Sequence, residues 1–272
     1  MANVLVGQYV QGQSVFHTLD PRTKVMSIFS FMVAILFVDD VVGYVTAALI
    51  VAGAVVASRI PLRFFFKGLR PMLFFLLVLV MFHIVFSQGQ QPLFTLGWFT
   101  VYVEGIKSGM EMLVRIVLLV VMASILTLTT KPLDLSFALA KLWQPLERLH
   151  LPVQQISLMV SLALRFIPTL LQEAEKIIEA QKARGATFAD KNLFKRVYLY
   201  VPVLIPLIIS SLQRAEQLTD AIDSRAYGTG AKRTTYRTLQ YTRLDYMMLV
   251  LFAGFIVLLV GDSVLEAWFL RR

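Results

Sequence analysis

The chain has 272 residues, 57% of them apolar and 16% charged, with no cysteine, a mean hydropathy of +0.71 and a net charge of +9. Soluble domains carry about 25% charge, so this is a membrane composition. The missing thiols exclude disulfide frameworks, zinc-thiolate sites and cysteine nucleophiles, and the apolar content excludes disorder.

A helix needs roughly 20 mostly apolar residues to cross a hydrocarbon core of about 30 Å. Charge-poor stretches at 25–38, 41–58, 71–87, 116–130 and 246–260, each extendable by a few residues, are predicted to do so. The polar segment ahead of them, with Gln8, Gln11, Gln13 and Asp20, lacks the basic-then-apolar order of a secretory signal and is not expected to be one. Only Asp39 and Asp40 separate the first two stretches, which predicts a tight hairpin; a shallow re-entrant pair is the alternative. The loop from Gln88 to Glu104 alternates aromatic and small residues around Trp98, Phe99 and Tyr102. It reads as an interfacial aromatic belt, with a substrate lid as the second reading.

Lys and Arg accumulate on cytoplasmic segments. With a cytoplasmic N-terminus, Arg22 and Lys24, then Arg59, Arg63, Lys67 and Arg70, then the sixteen basic residues between Lys131 and Arg243 all fall inside. Lys107, Arg115, Arg271 and Arg272 alone fall outside. Orientation thus accounts for the basic excess, and nucleic acid is not needed as a partner.

The region 131–243 holds most of the charge yet contains two apolar runs, 156–171 and 197–212, unlike ordinary spans. Arg165 and Pro168 interrupt the first, Pro202 and Pro206 the second, and each run continues into an amphipathic helix. A proline removes one backbone hydrogen bond, so Pro168 and Pro206 are expected to permit kinks. Arg165 is expected to snorkel to headgroups, with an acidic partner on a neighbouring helix as the alternative. Beyond Pro168 the apolar stripe is Leu170, Leu171, Ala174, Ile177 and Ile178; beyond Pro206 it is Ile208, Leu212, Ala215, Leu218 and Ile222. Leu171, Ala174 and Ile178 are expected to pack against Leu212, Ala215 and Leu218.

These helices repeat one another at an offset of 41 residues, with six of the fourteen positions from Leu171 to Arg184 identical between them. Each ends in an Arg beside small residues, Ala183-Arg184-Gly185 in one and Ser224-Arg225-Ala226 in the other, the latter followed by Tyr227 and Gly228. A last-turn Arg followed by Gly is an ordinary helix stop. Two such ends at matching positions suggest two knobs offered to a partner with two similar sockets.

Together with Leu19-Asp20-Pro21-Arg22-Thr23-Lys24 and Leu164-Arg165-Phe166-Ile167-Pro168, these ends resemble the transmembrane T component of energy-coupling factor transporters, relatives of the cobalt-transport permeases. The resemblance covers most of the chain. It implies an all-α polytopic membrane protein with about five transmembrane helices and a cytoplasmic domain of long amphipathic coupling helices. The expected organisation is a four-helix membrane domain over 1–130, a coupling domain over 131–243 and a last membrane helix over 244–272.

The resemblance further implies a scaffold in the cell membrane, with N-terminus and coupling domain cytoplasmic. It would join two cytosolic ABC ATPases to a substrate-binding membrane S component for uptake of vitamins or other micronutrients. Each coupling helix would end in an Ala-Arg-Gly motif seated in an ATPase groove. Ala183, Arg184 and Gly185 reproduce that motif; Ser224, Arg225 and Ala226 keep only its Arg. No cofactor is expected on the chain itself, since ATP would sit on the partner subunits.

Catalytic groups are sparse. The cluster at 228–232 lacks phosphate-loop spacing, and His17, His83 and His150 are too scattered for a metal site. His83 lies in a span, where a packed or interhelically bonded histidine is preferred to a ligand. Glu111 and Arg115 read as a structural pair, and Asp262 and Glu266 as groups beyond the last span. A stand-alone secondary transporter would place broken-helix or polar features at mid-span. A membrane enzyme would cluster acids or histidines at one face. The first features are scarce in the sequence, and the second do not appear.

Overall fold

The computed structural model describes residues 9–87, 89, 92–96, 99–149, 152–186, 193–226 and 240–269. The readings that fall on Trp98, His150, Tyr227 and the 228–232 cluster lie outside them, as do those on Arg271, Arg272 and the side chains of Asp262 and Glu266. The chain forms two compact units, one of residues 7–148 and 239–272, the other of residues 149–238.

The first unit contains α1 (Val15–Thr18), α2 (Pro21–Ala34) prolonged by a 3-10 turn (Ile35–Phe37), α3 (Val41–Ser58), α4 (Leu62–Phe86), strands β1 (Pro92–Leu96) and β2 (Phe99–Tyr102), α5 (Val103–Thr129), α6 (Pro132–Trp143) and, from the end of the chain, α9 (Arg243–Phe269). Its core gathers on α2, where Ile28, Phe31 and Ile35 are fully buried. Phe31 stacks on Phe255 of α9 at 5.6 Å between ring centroids and meets Phe252 edge-on at 6.3 Å. Residues 131–148, expected in the coupling domain, belong to this unit, and α6 packs on α2.

Helices α4 and α5 start earlier than the apolar stretches at 71 and 116 suggest. Pro71 lies inside α4, and the charged residues Glu104, Lys107, Glu111 and Arg115 follow one another at helical spacing along one face of α5. The two helices approach closely at Gly105, where an added Cβ would lie 3.0 Å from Ser87 Cβ and 3.2 Å from the His83 carbonyl. Small residues that let backbones meet are the usual glue between membrane helices. The segment before α5, read as an aromatic belt, contains an antiparallel hairpin pairing Leu96 with Phe99 and Thr95 with Thr100. The run Phe99-Thr100-Val101-Tyr102 has the β-branched and aromatic composition that strands favour.

Arg115 does not pair with Glu111. Its Nη2 donates to the Val38 carbonyl at 2.6 Å, lies 3.5 Å from Asp39 Oδ1, and its guanidinium sits over the Tyr44 ring. Glu111 pairs instead with Lys107 at 3.7 Å. The carbonyl beyond the 3-10 turn lacks an intrahelical donor, and the planar guanidinium supplies one.

The start of α2 and the start of α9 are joined head to head. Asp20 caps α2, accepting from the Arg22 amide at 2.9 Å, with Pro21 at the first helical position. On α9, Asp245 reaches back to the residue before the helix, as in one arm of a capping box: its Oδ2 accepts from the Thr242 amide at 2.7 Å and from its hydroxyl at 2.6 Å. The other Asp245 oxygen accepts from the Asp20 amide at 2.8 Å, although 225 residues separate the two. Both carboxylates thus face the positive ends of two helix dipoles. Lys24, also buried, donates to the Thr129 carbonyl at 3.3 Å and ties in the end of α5.

The second unit is dominated by α7 (Val153–Ala183) and α8 (Leu193–Asp223), each of 31 residues. Both run unbroken through their prolines, Pro168 in α7 and Pro202 and Pro206 in α8. By length and composition, five helices among the described residues suit a membrane crossing: α3, α4, α5, α7 and the Tyr198–Asp223 part of α8. The number agrees with the sequence reading, but the membership differs. At 14 residues α2 is too short for this measure and α9 is described with its side chains only as far as residue 257, whereas α7 and α8, set apart in the sequence reading, meet it.

Candidate functional site

The candidate site is the pair of α7 and α8 ends together with the contact between the helices. Ala183 is the last residue of α7, and Arg184 follows as its cap with a near-helical backbone. Gly185 then turns left-handed at φ 90°. The Gly185 amide donates to the Lys182 carbonyl and the Ala186 amide to the Gln181 carbonyl, both at 3.0 Å. Those two bonds define a Schellman stop, which satisfies carbonyls the helix would otherwise leave open.

At the end of α8, Ser224 donates its hydroxyl to the Ala221 carbonyl at 3.1 Å, and the Arg225 amide reaches Ile222 at 3.1 Å. Ala226 takes the left-handed position at φ 53°, and its amide donates to the Asp223 carbonyl at 2.8 Å. Ala226 therefore occupies the place that Gly185 holds on α7. The turn survives the loss of glycine, at a steric cost of about 1 kcal/mol for a Cβ in this conformation. Both Arg residues precede a left-handed residue, and both are exposed with no side-chain partner among the described residues. Solvent-facing guanidinium groups at two equivalent ends are suited to bidentate recognition of carboxylates or carbonyls.

The helices meet at Glu173. One of its oxygens accepts from Arg214 Nη2 at 2.8 Å, and the other accepts from the Ser210 hydroxyl. Leu171, Ala174 and Ile178 are half-buried on α7, and Leu218 is half-buried on α8. Leu212, 60% exposed, and Ala215 are turned outward. The half-buried face of α8 runs instead through Leu207, Ser211, Arg214, Leu218 and Ile222. The Arg214 guanidinium bonds to Glu173, so the packing face of α8 runs through a charged residue and away from the stripe of purely apolar residues. Pro168 is half-buried and Pro206 exposed. The same outward faces carry Met159, Ile167, Leu204, Ile205 and Ile208, all large and exposed.

Sequence reasoning missed the Glu173 to Arg214 contact by assigning both residues to wet faces. A signal was available: the two stand 41 residues apart, the repeat offset itself, with opposite charge. His83, considered as a ligand, lies beside Gly109, where an added Cβ would come 3.4 Å from His83 Cβ. Among the described residues no group of three or more His, Asp or Glu is placed to hold a metal ion.

The fold and these ends define a multi-pass helical membrane protein that presents two matched, cationic helix tips. Residues 12–236 match the CbiQ family, described as cobalt transport protein. The chain is 38% identical over 260 residues to the energy-coupling factor transporter transmembrane protein EcfT of Lactococcus lactis, covering 96% of this chain and 98% of that one. It is 39% identical over 250 residues to the Bacillus subtilis EcfT, at 92% and 94% coverage, and 40% identical over 246 residues to that of Ruminiclostridium cellulolyticum, at 90% and 92%. The chain therefore belongs to the CbiQ family, among the transmembrane T components of energy-coupling factor transporters.

Proposed function

We propose that this chain is the coupling scaffold of an ATP-driven importer for vitamins or other micronutrients. It carries no catalytic group and binds no cofactor of its own. ATP is bound and hydrolysed by two cytosolic ABC ATPases, each gripping one of the tips at Arg184 and Arg225. A separate membrane subunit binds the substrate. Closure of the ATPase pair moves the tips, and α7 and α8 carry that motion to the substrate-binding subunit. In this reading the N-terminus and both tips face the cytoplasm of a cell membrane, in line with the Lys and Arg bias.

The observation that carries the proposal is the equivalence of the two ends: two exposed Arg residues, each before a left-handed turn, on repeated helices. Around Arg184 and Arg225, the small residues Ala183, Gly185, Ser224 and Ala226 let a partner's backbone come close. The exposed apolar faces of α7 and α8 leave surface for the substrate-binding subunit and lipid.

The test is affinity isolation of the full chain from membranes with identification of the bound subunits. Two nucleotide-binding subunits are expected with the unaltered chain. Arg residues at interface hot spots cost about 2 kcal/mol or more on truncation, so Arg184→Ala combined with Arg225→Ala is expected to reduce their recovery at least about thirtyfold while membrane insertion persists. Full recovery and uptake by the double variant would reject the assignment of the tips. Solute transport by the purified chain alone in liposomes would reject the scaffold and favour a secondary transporter.

A further inference from the structure

The contact between α7 and α8 lies at repeat-equivalent positions, which has a geometric consequence for the tips. From Glu173 to Arg184 is eleven residues, and from Arg214 to Arg225 is again eleven. At 1.5 Å per residue each arm is about 16 Å long, and eleven residues make just over three full turns. Arg184 thus lies on nearly the same side of α7 as Glu173, and Arg225 on nearly the same side of α8 as Arg214. The contact sets both the reach of each tip and the direction it faces. A slip of one residue on either helix would rotate its tip by about 100° and shift it by about 1.5 Å.

The contact is built for a single register. Both carboxylate oxygens of Glu173 are used, one by Arg214 and one by Ser210, and the two donors lie one turn apart on α8. The surrounding residues Leu171, Ala174, Leu207 and Leu218 are only half-buried, and apolar packing of that kind tolerates sliding. A charged, doubly bonded pair does not, because a slipped register would strand its partners.

We infer that Glu173 and Arg214, with Ser210, are positioning residues: they form the pivot that holds the two tips at equal reach and matched rotation. This inference rests on the coupling role proposed above for its consequence in transport, but the pivot itself can be measured in the chain alone. The chain has no cysteine, so Arg184→Cys and Arg225→Cys introduce two unique sites for spin labels on the full-length protein. One narrow tip-to-tip distance distribution is expected by double electron–electron resonance in a background with Glu173 and Arg214 intact. Glu173→Gln or Arg214→Gln is expected to broaden it, and the charge swap of Glu173→Arg with Arg214→Glu to narrow it again.

Single variants that leave the distribution unchanged would overturn the pivot, as would a swap that stays as broad as the single changes. In the full complex, with Arg184 and Arg225 intact, the single variants are expected to retain both ATPases but lose about fivefold in uptake per ATP hydrolysed, with the swap restoring it. Wild-type uptake per ATP in the single variants would also overturn it. Absence of nucleotide-binding subunits from the unaltered complex would instead reject the proposed function and leave the distance measurement to judge the pivot.

Discussion

The two units hold their polar contacts in opposite settings. In the first, Asp245 is 0% exposed and serves the starts of two helices that are distant in sequence. In the second, Glu173 and Arg214 keep 26% and 33% of their side-chain surface exposed and join two long helices whose apolar residues are largely uncovered. The buried contact closes a core around Phe31, so its loss costs stability. The open contact aligns two arms, so its loss costs geometry. The coupling role proposed above would call on both kinds, one to hold the first unit together and one to align the helices of the second.

The largest expected break in this contrast comes at Asp245. Replacement by Ala strands the buried amide of Asp20 and removes both bonds from Thr242, and an unsatisfied buried donor with lost charge-assisted bonds costs about 3 kcal/mol. Thermal unfolding in detergent should show a clear drop in midpoint, while amide exchange within α7 and α8 stays at its original rate. Equal acceleration in those helices would mean that the two units are not energetically separate.

A smaller effect is expected at Gly105. Gly105→Val adds a branched side chain where even a Cβ meets Ser87 and the His83 carbonyl, and overpacking of this sort costs about 2 kcal/mol. The same unfolding assay should place this variant between Asp245→Ala and the unaltered protein. A neutral result would show that α4 and α5 can part without loss.

The smallest effects sharpen the comparison between the two tips. Gly185→Ala puts a Cβ at φ 90° and is expected to loosen the end of α7 by about 1 kcal/mol, seen as roughly fivefold faster exchange of the Gly185 and Ala186 amides. Ala226→Gly should slow exchange of its own amide by a smaller factor, since relief of the left-handed strain is partly offset by glycine's greater freedom when unfolded. If the two changes act in the same direction, the turns are not equivalent.

The sequence made some of this plain, and the reasons differ from place to place. α3 spans 41–58 as read, because the acidic turn before it and Arg59 after it mark both ends. The starts of α4 and α5 were hidden because absence of charge traces the lipid-facing part of a helix and not the helix itself. The tips were legible because a glycine after a terminal Arg has a mechanical reason to be there. The turn at Ala226 was less so, since alanine gives no sign of a left-handed backbone. The Asp20 to Asp245 contact could not be read at all, as each Asp satisfies a local capping rule and nothing local links them.

The brevity of α2 bears on the lipid itself. Fourteen α-helical residues and a three-residue 3-10 turn rise about 27 Å, less than the thickness of a typical hydrocarbon slab, and Arg115 meets the chain just beyond that end. A helix of that rise is matched in a bilayer by local thinning or by flanking side chains that snorkel, at a fraction of a kcal/mol per ångström of mismatch. Short-chain phospholipids should then suit the protein better than long-chain ones, which thermal unfolding across a series of acyl lengths would measure.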